Sequence, residues 1–328
     1  MGLQLTTNQT NTYRTHFSKR LLKTLAETVV LEQFATKESL PQGQGADTVR
    51  FFVEPDGSAA DVVELAENTV ENSTFSDNDL GYVDVQLKYW GDKMKISNRL
   101  SLTSFFNRLA SGTRKMGLSA GYFCDKLIRD ELVTAQATSG HKRYAGGAAN
   151  FNALVALSAA NSIWTPILGL AAVTRLKKSK ATPFSDGDFI TVVPPEIAYD
   201  LVQHTKWEEP AKYAGAKQIF KRELGRLYGT RYVEATNPWT EANTNDTEGT
   251  FVADSPIYSV LTLGEEAVGF VDLAGGNSAF KPKMTILDKA DKSDPHNQFI
   301  IPVWSAYARA KTLAQKRYVV TRCKTAFS

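Results

Sequence analysis

A long apolar stripe between Ser101 and Gln136 is the feature that most restricts how this 328-residue chain can fold. Its members recur at helical spacing: Leu102, Phe105, Phe106, Leu109, Met116, Tyr122, Phe123, Leu127, Ile128 and Leu132. A continuous helix of this length extends about 54 Å at 1.5 Å per residue, which exceeds the width of a small domain. Gly112, Gly117 and Gly121 each weaken it by about 1 kcal/mol relative to alanine, so we expect a bend or break near them.

A strongly acidic stretch precedes this helix. Between Phe51 and Leu87 there is no lysine or arginine, and the acidic residues are Glu54, Asp56, Asp61, Glu64, Glu67, Glu71, Asp77, Asp79 and Asp84. Runs of β-type residues at 48–53 and 82–88 flank the stretch, and the turn sequence Pro55-Asp56-Gly57 stops the first of them. We therefore predict an extended two-stranded hairpin, which is marginal alone and needs a partner surface.

The charge of this hairpin predicts a contact between subunits. We expect Glu64, Glu67 and Glu71 to lie on a basic surface of a neighbouring copy of the chain. Complementary charge of this kind sets the register and the rate of encounter more than the affinity. Reversal of the three glutamates to lysine is expected to change the assembly rate and its salt dependence.

Composition narrows the class of protein. The hydrophobic fraction of 42% and the charged fraction of 22% fit an ordinary folded protein, and a net charge of +3 is too small to make nucleic acid the main partner. Cys124 and Cys323 lie far apart, which predicts neither a zinc site nor a disulfide framework. The chain has no secretory signal pattern and no apolar run of about 18 residues, so we expect a soluble, intracellular product with no membrane partner.

The second half of the chain shows a mixed α/β pattern. A helix is predicted to follow the N-cap Thr165 and the first-turn residue Pro166. Further segments are a helix at 195–203 and strands at 189–193, 231–235, 257–263 and 267–271. Two longer runs, 298–311 and 317–323, are predicted to pair as a hairpin of long strands.

The residue types that usually carry catalysis do not form a recognisable site. The sequence Gly117-Leu-Ser-Ala-Gly121 matches the G-x-S-x-G pattern, but that chemistry requires a strand before the serine, and Ser119 lies within the helical stripe. None of the histidines pairs with another at metal-ligand spacing: His16, His141, His204 and His296. We therefore predict no enzymatic activity, no cofactor and no metal.

A basic and aromatic stretch occupies residues 200–238. Its basic side chains between Lys212 and Arg231 alternate with aromatic ones, a composition that can follow a phosphate backbone. The small net charge favours instead a surface that faces other subunits. The predicted inter-subunit contacts are therefore Glu64, Glu67, Glu71, Tyr89, Trp90, Lys217, Arg222 and Arg226.

Several short motifs occur in a fixed order along the chain. They are Phe34-Ala-Thr-Lys37 with Leu40-Pro41, Tyr89-Trp-Gly-Asp92, Asp200-Leu201, Lys206-Trp207, Lys212-Tyr213, Glu223-Leu-Gly-Arg226 and Asp294-Pro295. In this order they resemble the major capsid proteins of tailed phages, which have the Hong Kong 97-type fold. The podophage branch named after phage N-four is similar over nearly the whole chain.

The resemblance implies an α+β, Hong Kong 97-like capsid fold with four parts. These are an N-terminal arm at 1–40, an extended E-loop hairpin at 41–97, a peripheral domain with the spine helix and long strands at 98–160 and 272–328, and a mixed α/β axial domain at 161–271. In this family the axial domain meets around capsomer centres and the E-loop overlaps an adjacent subunit. Residues 165–271 and 48–97 are therefore expected to supply these contacts.

The function implied by the resemblance is structural. The chain is expected to self-assemble into pentamers and hexamers of an icosahedral phage head around double-stranded DNA, which it meets by non-specific proximity. Decoration, scaffold and portal proteins are further expected partners, and the expected location is the virion after assembly in the host cytoplasm.

Two alternatives stay open at this point. An encapsulin-like cellular nanocompartment shell of the same fold would enclose enzyme cargo in place of a genome. A serine hydrolase that uses Ser119 is the remote alternative, and labelling by a fluorophosphonate probe would reveal it.

Overall fold

The computed structural model of the chain is built around two β-sheets and one long helix. It describes residues 21–23, 29–39, 47–53, 81–104, 107–138, 140–157, 161–204, 207, 222–236, 239–240, 257–273, 280–288 and 294–326. Four of the predicted contact residues lie outside these ranges: Glu64, Glu67, Glu71 and Lys217.

The described strands and helices follow the order of the predicted elements. The strands are β1 (Thr36–Ser39), β2 (Thr48–Val53), β3 (Gly81–Gln86), β4 (Lys88–Lys93), β5 (Ile96–Ser97), β6 (Lys142–Tyr144), β7 (Phe189–Val193), β8 (Glu223–Leu227), β9 (Thr230–Glu234), β10 (Trp239–Thr240), β11 (Tyr258–Leu263), β12 (Val268–Asp272), β13 (Lys283–Leu287), β14 (Phe299–Thr312) and β15 (Tyr318–Cys323). The helices are α1 (Asn98–Thr103), α2 (Arg108–Ala135), α3 (Phe151–Ala156), α4 (Pro166–Lys178) and α5 (Pro195–Gln203), and residues 21–23 are also helical.

The long helix α2 is continuous through its glycines. Its 28 residues extend about 42 Å. The expected break near Gly112, Gly117 and Gly121 does not occur, because the helix continues from Arg108 to Ala135. Gly112 is buried, and a Cβ added to it would lie 3.0 Å from Met94 Sδ. α1 ends at Thr103 and α2 begins at Arg108, where the Asn107 side chain accepts a hydrogen bond from the Ala110 N–H at 2.9 Å.

The six-stranded sheet is organised around β14. Along one side, β14 pairs with β13 and, further on, with β12. β1 then pairs in parallel with β12. Along its other side, β14 pairs with β4 and β5. Burial along β14 alternates from Pro302 onward, with Trp304 and Ala308 among its buried residues. This period of two places one face against α2 and leaves the other face partly exposed.

The seven-stranded sheet has the order β6-β15-β11-β7-β9-β8, with β10 also paired to β11. Residues of β7, β11 and β15 are all buried. Ile190 and Val320 point into the main core that includes α2, whereas Val193 and Val319 lie on the opposite face, in the clusters formed with α3, α4 and α5. Coverage of both faces explains why these strands read as continuous apolar runs.

The predicted hairpin between the last two long strands is wrong. β14 and β15 belong to different sheets, and a 3-10 turn at Gln315–Arg317 redirects the chain between them. β15 pairs with β11 and β6, and β12 lies in the six-stranded sheet. Each sheet therefore contains strands from both of the segments predicted at 161–271 and 272–328, because strands that are distant along the chain pair with each other.

Candidate assembly interface

The hairpin formed by β2 and β3 packs against β12. Phe51 and Val85 on its inner face are buried with Val271 of β12 in a small separate cluster. Gly269 makes this contact possible, since a Cβ added there would lie 2.9 Å from Phe51 Cζ and 3.0 Å from Leu313 Cδ2. The predicted pairing of the two strands is therefore confirmed, and the Phe51 ring packs closely on β12.

The outer face of the hairpin presents aromatic side chains. Phe52 and Tyr82 are directly opposite each other on the two strands and are 68% and 60% exposed. Arg50 lies 4.1 Å from the centroid of the Tyr82 ring and forms two hydrogen bonds to Asp84, at 2.7 and 2.9 Å. The hydrogen bonds from Arg50 lower the pKa of Asp84, so this pair is charge-neutral and the face is dominated by its exposed aromatic area.

Tyr89 and Trp90 on β4 lie in different environments. Tyr89 is 63% exposed and stacks on Tyr307 of β14 with a centroid distance of 4.5 Å. Trp90 is half-buried, donates from Nε1 to the Ala308 carbonyl at 3.0 Å, and packs on Phe123 of α2 at 5.0 Å. Of the two predicted contact residues, Tyr89 is the one that offers a large free area, whereas Trp90 joins the sheet to α2 within the subunit.

The basic stretch at 200–238 is partly neutralised inside the subunit. Arg226 binds Asp188 with two hydrogen-bond-length contacts, at 2.7 and 2.8 Å, although its side chain stays 55% exposed. Arg231 is mostly buried and bonds to Glu223 at 2.8 Å. Its Nε also lies 3.4 Å from Asp188 Oδ2. A buried arginine needs such partners because an unpaired charge there is costly, so these residues first stabilise the edge of the seven-stranded sheet.

Arg222 and Trp207 shape the same edge. Arg222 is exposed, adopts a φ of 61°, and donates to Thr236 Oγ1 at 3.3 Å. Trp207 packs edge-on against Tyr232 and lies over Gly225, where an added Cβ would come within 2.9 Å of the indole. Position 225 lies at the bulge in β8, so the tryptophan and the bulge fit each other.

The junction between the N-terminal segment and α2 rests on a carboxylate that sequence reasoning missed. Asp125 is buried, and its Oδ1 accepts the N–H groups of Val30 at 3.1 Å and Leu31 at 2.9 Å. Burial raises the pKa of Asp125 to about 6, although the two backbone hydrogen bonds oppose this shift. The signal in the sequence was an acidic residue on the same helical face as Ile128 and Leu132, where an apolar residue is expected.

A second buried acid continues this junction. Glu32 Oε1 accepts a hydrogen bond from the Phe280 N–H at 2.6 Å and forms an ion pair with Lys37 Nζ at 2.9 Å. The last part of the predicted arm is thus joined both to α2 and to the loop before β13. No local pattern pointed to this role, because both partners of Glu32 depend on the folded chain.

Ser119 and His141 both form hydrogen bonds within the folded chain. Ser119 lies in the middle of α2 and donates from Oγ to Asp92 at 3.2 Å, without the strand and turn that a nucleophile elbow requires. His141 is buried between the Tyr318 carbonyl at 2.8 Å and Ser179 Oγ at 3.0 Å. Within the described ranges no group of three or more potential ligands converges on a metal position, and no helix there is both long and apolar enough to span a membrane.

Comparison with known proteins supports the fold at low sequence identity. No family model and no curated protein sequence matches the chain. Among solved structures, the capsid of cyanophage Pam1 matches with a TM-score of 0.65 at 14% identity over 93% of each chain. The capsid of Ralstonia phage GP4 matches with a TM-score of 0.64 at 12% identity, covering 91% of this chain and 92% of that one.

A virus-like particle from Pyrococcus furiosus matches less well. Its TM-score is 0.53 at 12% identity, with 94% of this chain and 99% of that chain covered. The phage branch named after phage N-four stays a prediction, whereas the mixed α+β architecture is confirmed. Two sheets, a long helix and a two-stranded hairpin, matched along almost the whole length of phage capsid chains, show that this chain has the Hong Kong 97-like capsid fold.

Proposed function

We propose that this protein is the major capsid protein of a tailed phage, without enzymatic activity. The observation that carries the proposal is the two-way coverage of the structural match: more than nine-tenths of this chain aligns with more than nine-tenths of two phage capsid chains. A fold alone does not define a function. The added support is a hairpin that exposes two large aromatic side chains, an arrangement that favours burial against another subunit.

The fold also supports an assignment of parts. The seven-stranded sheet with α3, α4 and α5 would form the axial domain around capsomer centres, and the six-stranded sheet with α2 would form the peripheral domain. The hairpin of β2 and β3 would be the E-loop that overlaps an adjacent subunit. Residues 1–40 would supply the N-terminal arm, which Asp125 and Glu32 anchor at its end.

The protein would assemble into pentamers and hexamers of an icosahedral head around double-stranded DNA. Decoration, scaffold and portal proteins would be its further partners, in the virion and during assembly in the host cytoplasm. Exposed Tyr89 is a candidate contact in this assembly, as are Arg222 and the exposed part of Arg226. The encapsulin-like alternative has weaker structural support from the particle of Pyrococcus furiosus.

Electron microscopy of the expressed protein tests this proposal. Shells, tubes or rings of five and six subunits are the expected result, and nuclease-protected DNA in particles from infected cells would separate a phage head from a cargo-bearing shell. The paired change Phe52→Ser and Tyr82→Ser should reduce shell formation and leave the melting temperature of the free subunit nearly unchanged, because both side chains are exposed there. Stable monomers under all assembly conditions would contradict the proposal.

A further inference from the structure

The exposed charge of α2 has one sign. From Lys93 to Cys124 the chain has no aspartate or glutamate, although basic residues recur throughout this stretch. Within α2 every charged side chain that is exposed is basic. We call these side chains the basic face; they are Arg108, Arg114, Lys115 and Lys126. Four cations on one helix exceed the net charge of +3 of the whole chain, so positive charge is concentrated here.

The acidic residues of α2 do not balance the basic face at the surface. Asp125 is buried and accepts hydrogen bonds from the N-terminal segment. Glu131 accepts the Thr312 N–H at 3.3 Å. Asp130 forms an ion pair with the adjacent Arg129 at 2.6 Å. Each acid of the helix therefore has a partner within the subunit, and the charge that α2 presents to solvent is positive.

The cations of the basic face form no ion pair with a carboxylate in the part of the chain that the structure describes. Arg108 donates instead to Ser104 Oγ at 3.1 Å. Arg226 differs from them, because it is paired with Asp188. One carboxylate lies beside the helix, since Asp92 accepts from Ser119 Oγ at 3.2 Å. The positive charge of the basic face is thus available to a partner outside the subunit.

The basic face is arranged along the helix axis. At 100° per residue, Arg108, Lys115 and Lys126 fall within about 20° of one line, and Arg114 lies about 100° to one side. The line extends about 27 Å from Arg108 to Lys126. Met116 and Ile128 are buried on the side of the helix that packs on β14. A straight row of cations on the outer side of a rigid helix can follow an extended anion.

The surroundings of these cations favour a polyanion over an acidic protein. Stable protein interfaces are centred on buried apolar or aromatic side chains. Tyr122, at 42%, is the one large hydrophobic side chain of α2 that is exposed. Exposed ion pairs alone contribute little affinity. A nucleic acid requires only cations, because the release of its condensed counterions drives binding.

We propose that the basic face of α2 binds the phosphate backbone of double-stranded DNA, without preference for base sequence. This inference rests on the proposed function, in which the shell encloses such DNA. B-DNA carries about one negative charge per 1.7 Å of its axis, so a duplex along the 27 Å row offers more phosphates than the face has cations. Ser111 and Tyr122 are exposed on the same side of the helix, and their hydroxyl groups can also donate to phosphate oxygens.

Three full-length variants test the proposal. The test variant carries Arg108→Gln, Lys115→Gln and Lys126→Gln, which removes the row of charge. The control carries Lys177→Gln, Lys178→Gln and Lys180→Gln, which removes the same charge from exposed positions at the end of α4. A third variant carries Arg108→Lys, Lys115→Arg and Lys126→Arg and keeps the charge. Circular dichroism and thermal melting of the free subunits establish that each variant folds.

The measurement is fluorescence anisotropy of a labelled 20-base-pair duplex with free subunits between 50 and 200 mM salt. The test variant should bind at least about tenfold more weakly than wild type at 50 mM. The slope of log K against log salt should become shallower by about 2.7, which is 0.9 for each of three lost phosphate contacts. The control and the charge-keeping variant should retain the wild-type slope, and a duplex of another base sequence should give the same result.

Asp92→Asn provides a change in the opposite direction. It removes the carboxylate beside the basic face and keeps an oxygen that can accept from Ser119. This variant should bind the duplex more tightly than wild type, and the gain should shrink as salt is added. Equal or weaker binding by folded Asp92→Asn would contradict the placement of DNA along α2.

Several results would overturn the inference. They are wild-type subunits that do not bind the duplex at 50 mM salt, a test variant that binds as tightly as wild type, and a control that loses as much affinity as the test variant. Loss of shell formation by the test variant with unchanged DNA binding would assign the basic face to an acidic surface of another subunit. The proposed function is refuted separately, by wild-type protein that forms no shells in electron microscopy, whatever its affinity for DNA.

Discussion

The carboxylate of Asp125 offers a direct test of how the N-terminal segment is held on α2. In the structure Oδ1 accepts both the Val30 and Leu31 N–H groups. Oδ2 also lies 3.1 Å from the Val30 nitrogen. Asp125→Asn keeps an oxygen that can accept both bonds and removes the titrating group. Asp125→Ala removes the acceptor and leaves two N–H groups buried without it, which costs roughly 1–3 kcal/mol for each group.

The pH dependence follows from the pKa of Asp125, which burial raises from its usual 3.8 to about 6. Because the folded pKa lies above the unfolded one, the folded protein binds more protons between these two values. Its unfolding free energy therefore rises as the pH falls through about 6, and this contribution is lost as the pH rises again. A shift of about two pKa units corresponds to about 3 kcal/mol between pH 7 and pH 4.

Urea denaturation of the free subunit at pH 4.5, 5.5, 6.5 and 7.5 measures this contribution. The quantity to compare is the unfolding free energy of wild type minus that of Asp125→Asn, because other titrating groups cancel in the difference. We expect this difference to increase in favour of wild type as the pH falls. A flat difference, or one that favours Asp125→Asn at low pH, would refute the account, whereas Asp125→Ala should be less stable than Asp125→Asn at every pH.

Two packing predictions accompany this one. Gly269→Ala should destabilise the subunit by about 1–3 kcal/mol and expose the hairpin to proteolysis, since the new Cβ would lie 2.9 Å from the Phe51 ring. The added change Phe51→Leu should recover part of this loss of stability. Additive effects of the two changes on the unfolding free energy would contradict the contact. Tyr232→Phe should leave stability equal or higher in thermal melts, because the buried Tyr232 Oη has no hydrogen-bond partner in the described part of the chain. Thr191→Val is the matched control and should lower the unfolding free energy by about 1–3 kcal/mol, because Thr191 Oγ1 bonds to Thr230 at 2.9 Å and to Thr262 at 3.2 Å. Equal effects of the two changes on stability would be inconsistent with this reasoning.

Local patterns in the sequence predicted many of the elements correctly. The strand at 48–53, the buried strand at 189–193 and the helix at 195–203 have the predicted bounds. The helix after Thr165 begins at Pro166, as predicted. These features depend on residues within a few positions of each other, such as a proline at the first helical position or a run of β-branched residues, so the sequence contains the required information.

The candidate interface was less accessible to prediction. The sequence predicted Arg226 as a contact for another subunit, but its ion pair with Asp188 exists only in the folded chain, in which β9 joins β8 to β7.

By itself the sequence determined many of the element types, the acidic stretch between Phe51 and Leu87 and the need for a long helix to pack against a large surface. Only the tertiary structure decided that β14 and β15 enter different sheets, and that Asp125 holds Val30, which is 95 positions away. The physical reason is the range of the interactions. Helical periodicity and turn chemistry act between near neighbours, whereas strand pairing and buried hydrogen bonds join segments whose proximity exists only in the folded chain.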